Sequence, residues 1–267
     1  MCIRDRLNGD GYGGGLYIID GPQGQLFTSS DGVNFTKQIT PDNDDLTGIT
    51  YGNGTFVVRK FWQAGKILTS TDAKNWVTRS TGSGGNPDRS YNSVQYGAGK
   101  FVFAAKEGVR VSTDAINWSF HPVEHPYSSY GIRSTQFFPE LGEFYTIGST
   151  DPDANNNVEL QIGKSTDGIN WNFHSKEVES LTKLGLNTFF DGAFCFIGNS
   201  GDKNQLILIS DLSETGQVYN LSDRLPDEPI KGVAVGNETI VVTTANSTYT
   251  SASVSYTHLT LPTICSV

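Results

Sequence analysis

What the chain lacks narrows the field first. It has three cysteines and one methionine in 267 residues, and only Cys195 lies away from the two ends. One interior thiol supports neither a disulfide framework nor a cysteine-based zinc site. It reads as a small buried hydrophobe rather than a nucleophile. No apolar run approaches the roughly 20 residues of a membrane span. Basic residues are in deficit: 19 Lys and Arg stand against 28 Asp and Glu, a formal net charge of −9. An acidic chain repels phosphate backbones, so nucleic acid is a poor partner. Sustained helical periodicity is missing throughout.

The two ends stand apart from the rest. Met1-Cys2-Ile3-Arg4-Asp5-Arg6 resembles one frame of a transposon-type sequencing adapter. Val254 to Thr263, VSYTHLTLPT, resembles the reverse complement of that adapter. Ile264-Cys265-Ser266-Val267 fits the variable index, valine and stop that would follow. Residues 1–6 and 253–267 are therefore expected to be adapter translation, with Ser253 shared at the junction, and to be excluded from fold reasoning. The gene is read as cut at both ends and the native protein as longer. Setting aside Arg4, Asp5 and Arg6 makes the remainder one charge more acidic.

What is present is a repeat. Ser29-Ser30-Asp31-Gly32-Val33-Asn34-Phe35 recurs as Ser70-Thr71-Asp72-Ala73-Lys74-Asn75-Trp76. Further copies are Ser112-Thr113-Asp114-Ala115-Ile116-Asn117-Trp118 and Ser165-Thr166-Asp167-Gly168-Ile169-Asn170-Trp171, with a worn fifth at Ser210-Asp211. The period is about 43 residues, with one longer interval between Asp114 and Asp167. A second signal keeps constant phase with the first. Tyr51-Gly52-Asn53-Gly54-Thr55-Phe56-Val57 recurs as Tyr96-Gly97-Ala98-Gly99-Lys100-Phe101-Val102, with echoes at Tyr12-Gly13, Phe190-Asp191-Gly192 and Val235-Gly236. Asn-Gly and Gly-rich pairs between β-formers predict a tight hairpin joining strands a and b. The Ser-x-Asp heptad predicts a second turn joining strands c and d, its Asp accepting backbone N–H groups. Trp76, Trp118 and Trp171 follow these turns and are placed to bury their rings between neighbouring units.

Four-stranded units of this period suit the blades of an all-β propeller. The heptads resemble the Asp-box (BNR) repeats of the sialidase superfamily and the repeats of photosystem II assembly-factor propellers, across essentially all of residues 7–252. The family box has one more residue between Asp and Gly, so the hairpin here is expected to be tighter by one. Blades are expected near residues 7–44, 45–89, 90–129, 130–181, 182–228 and 229–252. The first is read as lacking strand a and the last as breaking off around its third strand. The resemblance implies that the box, with Asp31, Asp72, Asp114 and Asp167, is architectural and lies away from the ligand face. Function then belongs to the b–c and d–a loops at the opposite end.

Those loops supply the candidate sites. Arg59-Lys60-Phe61-Trp62-Gln63 puts a tryptophan beside two cations, a pairing suited to a sugar ring or a protein partner. His125, Tyr127 and Tyr130 crowd a d–a loop. The insertion Asp151-Pro152-Asp153-Ala154-Asn155-Asn156-Asn157-Val158-Glu159 has oxygen side chains at alternate positions, like the start of a calcium loop. Asp151, Asp153, Asn155 and Glu159 are its candidate ligands. Asn156 replaces the usual glycine, and Ile162 stands where the bidentate glutamate belongs. The alternative is a solvated polar loop. His121-Pro122-Val123-Glu124-His125 matches an inverted zincin pattern. That chemistry needs a helix, which Pro122 and Pro126 oppose. Gly9-Asp10-Gly11-Tyr12-Gly13-Gly14 fits a dinucleotide fingerprint in letters, but no helix is expected after it.

The resemblance to sialidases implies three arginines converging on a carboxylate. The family's Arg-Ile-Pro motif is absent, and only Arg59, Arg89 and Arg133 are placed to reach the ligand face. The expected function is therefore a non-catalytic propeller for recognition or scaffolding, with a protein or glycan partner and an extracellular or virion setting. Two alternatives stand beside it: a sialidase-like hydrolase fragment, and an assembly factor for a membrane protein complex.

Overall fold

The computed structural model describes residues 9–61, 63, 65–82, 94–105, 107–126, 134–139, 141–154, 158–176, 183–190, 193–200, 203–209, 218–220, 230, 232–236, 239–244, 247–250 and 265–266. Every regular element among them is a β-strand, and no helix among them is long and apolar enough to cross a membrane.

The strands form six four-stranded sheets, each in sequence order. The first is β1 (Gly9–Gly13), β2 (Leu16–Asp20), β3 (Leu26–Ser29) and β4 (Thr36–Lys37). The second is β5 (Leu46–Gly52), β6 (Thr55–Lys60), β7 (Lys66–Ser70) and β8 (Val77–Ser80). The third is β9 (Val94–Gly97), β10 (Lys100–Ala105), β11 (Gly108–Ser112) and β12 (Ser119–Pro122). The fourth is β13 (Ser134–Phe138), β14 (Glu143–Ser149), β15 (Leu160–Ser165) and β16 (Asn172–Lys176). The fifth is β17 (Lys183–Phe190), β18 (Ala193–Ser200), β19 (Lys203–Ile209) and β20 (Val218–Asn220). The sixth is β21 (Gly232–Gly236), β22 (Thr239–Thr243), β23 (Thr248–Thr250) and β24 (Cys265–Ser266). These are β-propeller blades.

Two details differ from the sequence reading. The first blade has its strand a: the glycine-rich Gly9–Gly13 pairs residue for residue with Leu16–Asp20. Low β-propensity is overridden there by main-chain pairing with a strong partner. The last blade has a fourth strand, with Cys265 opposite Thr250 and Ser266 opposite Tyr249. Main-chain bonds at an open sheet edge accept any extended segment, so this pairing is indifferent to side-chain identity. Residues 1–6 and 253–264, with Val267, lie outside the described residues.

The local chemistry explains the turns. At Asn53-Gly54 both central residues have positive φ, 45° and 74°. This is the twist that a two-residue hairpin between right-twisted strands requires. In the heptads, Asp31, Asp72, Asp114 and Asp167 each accept two backbone N–H groups at 2.7–2.9 Å on Oδ1. The following Asn side chain donates to Oδ2.

The chain divides into two compact units, Met1–Gly148 with Gly163–Phe173, and Ser149–Ile162 with His174–Val267. In the first, β1, β5, β9 and β13 lie successively side by side. In the second, β17 lies beside β21. Cores in the first unit form between consecutive sheets. Ile18 and Leu26 of the first sheet pack with Leu46, Phe56, Val58 and Leu68 of the second. Val57 and Ile67 pack with Val94, Phe101 and Phe103 of the third. Val102, Val109 and Val111 pack with Phe144 of the fourth. The alternation along β6, with Phe56 and Val58 one way and Val57 the other, is the period-two pleat turned into blade stacking.

The Tyr-Gly repeat is the device that locks consecutive blades. A Cβ on Gly13 would overlap the Tyr51 ring, one on Gly52 the Tyr96 ring, and one on Gly97 the Phe137 ring. Each Tyr-Gly pair is thus an aromatic plug for the blade before it and a socket for the blade after it. The plug then meets the phenylalanine opposite it on strand b, with Tyr51–Phe56 centroids 4.5 Å apart and Tyr96–Phe101 4.8 Å apart. Phe56 in turn meets Trp76 at 6.4 Å, and Phe101 meets Trp118 at 6.4 Å.

Candidate functional site

Hydrogen bonds within the first unit sort its turns onto two ends. At one end, hairpin turns and heptads meet: Asn53 Nδ2 donates to Thr113 O at 3.3 Å, and Lys100 Nζ donates to Asp167 O at 3.2 Å. A cavity of about 470 Å³ opens there beside Lys100, Asn117, Trp118, His121 and Ile169. At the other end, the segment joining the first two blades, residues 40–45, is tied to both neighbouring b–c loops. Gly24 N donates to Asp44 O and Phe61 N to Asp45 O. Gln23 N donates to Asp45 Oδ1, and Gln63 Nε2 to Asp44 Oδ1. The b–c and d–a loops therefore share a face, opposite the heptads.

Arg59 and Lys60 end β6 at this loop face and point to opposite sides, as successive strand residues must. Lys60 is 3% exposed and bridges Asp42 and Asp44, the latter at 3.0 Å. The Asp42 carboxyl lies below its ordinary value, because the Lys60 hydrogen bond and charge outweigh the upward push of burial. Lys60 is thus committed to an internal ion-pair cluster, which the basic look of the segment did not reveal.

Arg59 shares the parity of Val57 and faces the third blade. Its Cζ lies 5.6 Å from the centre of the Phe103 ring. It is 4% exposed, and its Nη1 has no hydrogen-bond partner among the described residues. Burial pushes its pKa down to about 10, which still leaves it charged at neutral pH. Phe103 was not foreseen as a site residue; the period-two pattern on facing strands b is the signal that finds it.

The remaining candidates divide. Trp62, Tyr127, Tyr130, Asn155, Arg89 and Arg133 lie outside the described residues, as does the worn heptad at Ser210-Asp211. His125 is half-buried after β12. His121 lies on β12 itself, its Nε2 2.8 Å from Ser119 Oγ. A strand replaces the helix that a zincin pattern needs, because Pro122 cannot donate within a helical turn. Gly9–Gly13 is a strand leading into a hairpin, so no helix N-terminus is available to cradle a phosphate. Asp151 and Asp153 are exposed in the loop between β14 and β15. Glu159 accepts from Gln161 Nε2 at 3.3 Å and Ser175 Oγ at 3.4 Å. Among the described residues, no cluster of three or more His, Cys, Asp or Glu is placed to hold a metal.

Neither a protein-family model nor a curated protein matches the sequence. Solved structures do match its fold. YCF48 from Cyanidioschyzon merolae superposes with a TM-score of 0.69 at 15% identity, over 95% of this chain and 84% of that one. YCF48 bound to D1 peptide gives 0.68 at 13%, over 98% and 81%. Virginiamycin B lyase from Staphylococcus aureus with quinupristin gives 0.66 at 13%, over 97% and 84%. At such identities the likeness shows the fold alone, and the chain is similar in architecture to these β-propellers.

Proposed function

We propose that this chain is a non-catalytic propeller for recognition or scaffolding, whose partner is a protein segment held at the b–c loop face. The observation that carries this reading is the double tethering of residues 40–45 to the loops on either side. It makes a pre-organised platform at the end where the loops vary most. Binding to such a surface does not pay to order it first. The likeness to a propeller solved with a bound peptide supports a protein partner. A glycan remains the second ligand class, through Trp62 and its neighbours. An extracellular or virion setting belongs to the same reading, suited to a turn-rich chain short of cysteine.

Assembly of a membrane protein complex is the second functional reading, supported by the resemblance of the Asp-box heptads to assembly-factor propellers and by the likeness to YCF48. For a sialidase-like hydrolase, Arg59 is the one described member of the three arginines considered.

The test is selection of peptides on the intact chain, followed by loop exchange. Replacing residues 61–65 with a Gly-Ser segment of equal length should abolish binding. Replacing Asn53 or Lys74 at the heptad end should leave it unchanged. Peptides whose binding survives the loop exchange and fails at the heptad end would overturn the proposal.

A further inference from the structure

We infer that Arg59 anchors a carboxylate-binding site at the b–c end of the packing between the second and third blades. The inference deepens the recognition reading and rests on it, by naming the chemistry that the platform selects.

Three observations lead there. Arg59 is 4% exposed, its Nη1 is buried without a hydrogen-bond partner among the described residues, and its guanidinium carbon lies 5.6 Å from the centre of the Phe103 ring. Lys60, its chain neighbour, is equally buried but holds two carboxylates. The same two-residue stretch therefore contains a satisfied buried cation and an unsatisfied one. The blade architecture also does not require a charge at this position. Phe56 pairs with Tyr51 as Phe101 pairs with Tyr96, so the residue equivalent to Arg59 on the third blade is Ala104. Ala104 is fully buried and apolar.

A buried charge without a counter-charge is costly, and replacing it by an apolar group of similar shape is the stabilising change when nothing else depends on it. A guanidinium resting on an aromatic face leaves its planar edge free, and that edge matches a carboxylate bidentately. Arg59 lies one residue from the end of β6, directly before the loop at residues 61–65, so the loop face is the nearer side for an incoming carboxylate. The fork would also fit a phosphate; the carboxylate is assigned because the proposed partner is a protein segment, which supplies it as an acidic side chain or a chain terminus.

The full chain is tested by thermal unfolding in sodium acetate, sodium phosphate and sodium chloride at matched ionic strength, with Arg59→Met and Arg59→Lys alongside. Acetate should raise the melting temperature of the parent above its value in chloride, and by more than phosphate does. Arg59→Met should melt higher than the parent in chloride and show no response to acetate. Arg59→Lys keeps the charge but loses the fork, and should bind ¹³C-acetate about tenfold more weakly by NMR titration. A lower melting temperature for Arg59→Met in chloride, with no acetate effect on the parent, would make Arg59 a blade staple and sink the inference. A larger response to phosphate than to acetate would overturn the carboxylate assignment. Either failure leaves the peptide-selection result untouched. Loss of peptide selection with the acetate effect intact would instead remove the recognition reading alone.

Discussion

Tyr96 occupies the space where Gly52 would carry a side chain: a Cβ built there falls within the tyrosine ring. The two residues belong to consecutive blades and to consecutive copies of one Tyr-Gly repeat. The same close approach holds between Gly13 and Tyr51, and between Gly97 and Phe137, where a phenylalanine outside the Tyr-Gly repeat fills the socket. The glycine is retained for the close approach of its neighbour, not for its backbone freedom.

Gly52→Ala should therefore destabilise by about 3 kcal/mol, the upper end for overpacking, because the ring opposite is held by Phe101. Gly54→Ala has open space around its Cβ and should cost less, through its positive φ alone. A double-mutant cycle of Gly52→Ala with Tyr96→Ala should show coupling above about 1 kcal/mol. Additive effects in denaturant unfolding would show that the ring and the socket do not constrain each other.

The heptad aspartates predict an acid limit. Asp72 is held well below its ordinary carboxyl value of 3.8 by the Asn75 backbone N–H first, then by Lys74 N–H and the Asn75 and Ser70 side chains. Asp31 and Asp114 are lowered by the same kinds of bond, led by Asn34 and Asn117. In Asp167 burial opposes the shift and is outweighed by Asn170 and Ile169. A folded pKa below the unfolded one means that the stabilisation is complete above about 4 and is lost as pH falls further. The melting temperature should hold from pH 7 to 5 and drop below pH 4. Asp72→Asn should melt lower at pH 7, by a few degrees, and lose less between pH 4 and 2. Parallel pH profiles for parent and variant would remove the box from the acid transition.

Turn chemistry made most of this fold legible in the sequence. Asn53-Gly54 and the Ser-x-Asp heptads act over a few residues, and their spacing alone marks the blades. The socket at Gly52 could not be read, since it depends on Tyr96 one whole blade away. The Tyr12-Gly13 echo marks the hairpin turn of the first blade, but only pairing with Leu16–Asp20 shows that Gly9–Gly13 is the strand a missing from the expected blade. At the site, the segment Arg59-Lys60 looked like one basic patch. The pleat splits it: Lys60 turns to Asp42 and Asp44, while Arg59 turns to Phe103.

That split predicts an asymmetry. Lys60 is 3% exposed, whereas Asp42 and Asp44 are 37% and 31% exposed. Lys60→Met leaves two carboxylates that water can still reach, and should cost no more than about 1 kcal/mol. Asp42→Asn with Asp44→Asn strands a buried ammonium, and should cost about 3–5 kcal/mol. Equal losses in the two variants, measured by urea unfolding, would mean that Lys60 reaches solvent once released.

The loop between β14 and β15 sets the last expectation. If it binds calcium, Asp151, Asp153 and Asn155 supply the first side-chain oxygens, and Glu159 can add only Oε1, because its Oε2 already accepts bonds from Gln161 and Ser175. A site with two carboxylates and no bidentate glutamate binds at about 10⁻⁴–10⁻³ M, in the manner of extracellular modules. Mass action at 10 mM calcium then adds no more than about 1–3 kcal/mol. The melting temperature should not move at 10 µM calcium. It should rise by a few degrees at 10 mM, and Asp151→Asn/Asp153→Asn should abolish the rise. Magnesium at the same concentration separates site binding from ionic strength, since its smaller, stricter shell would not fit an open oxygen loop of this kind. A melting curve unmoved by 10 mM calcium would leave the loop as a solvated excursion, which costs a propeller little because lengthening a surface loop raises its closure entropy only slowly.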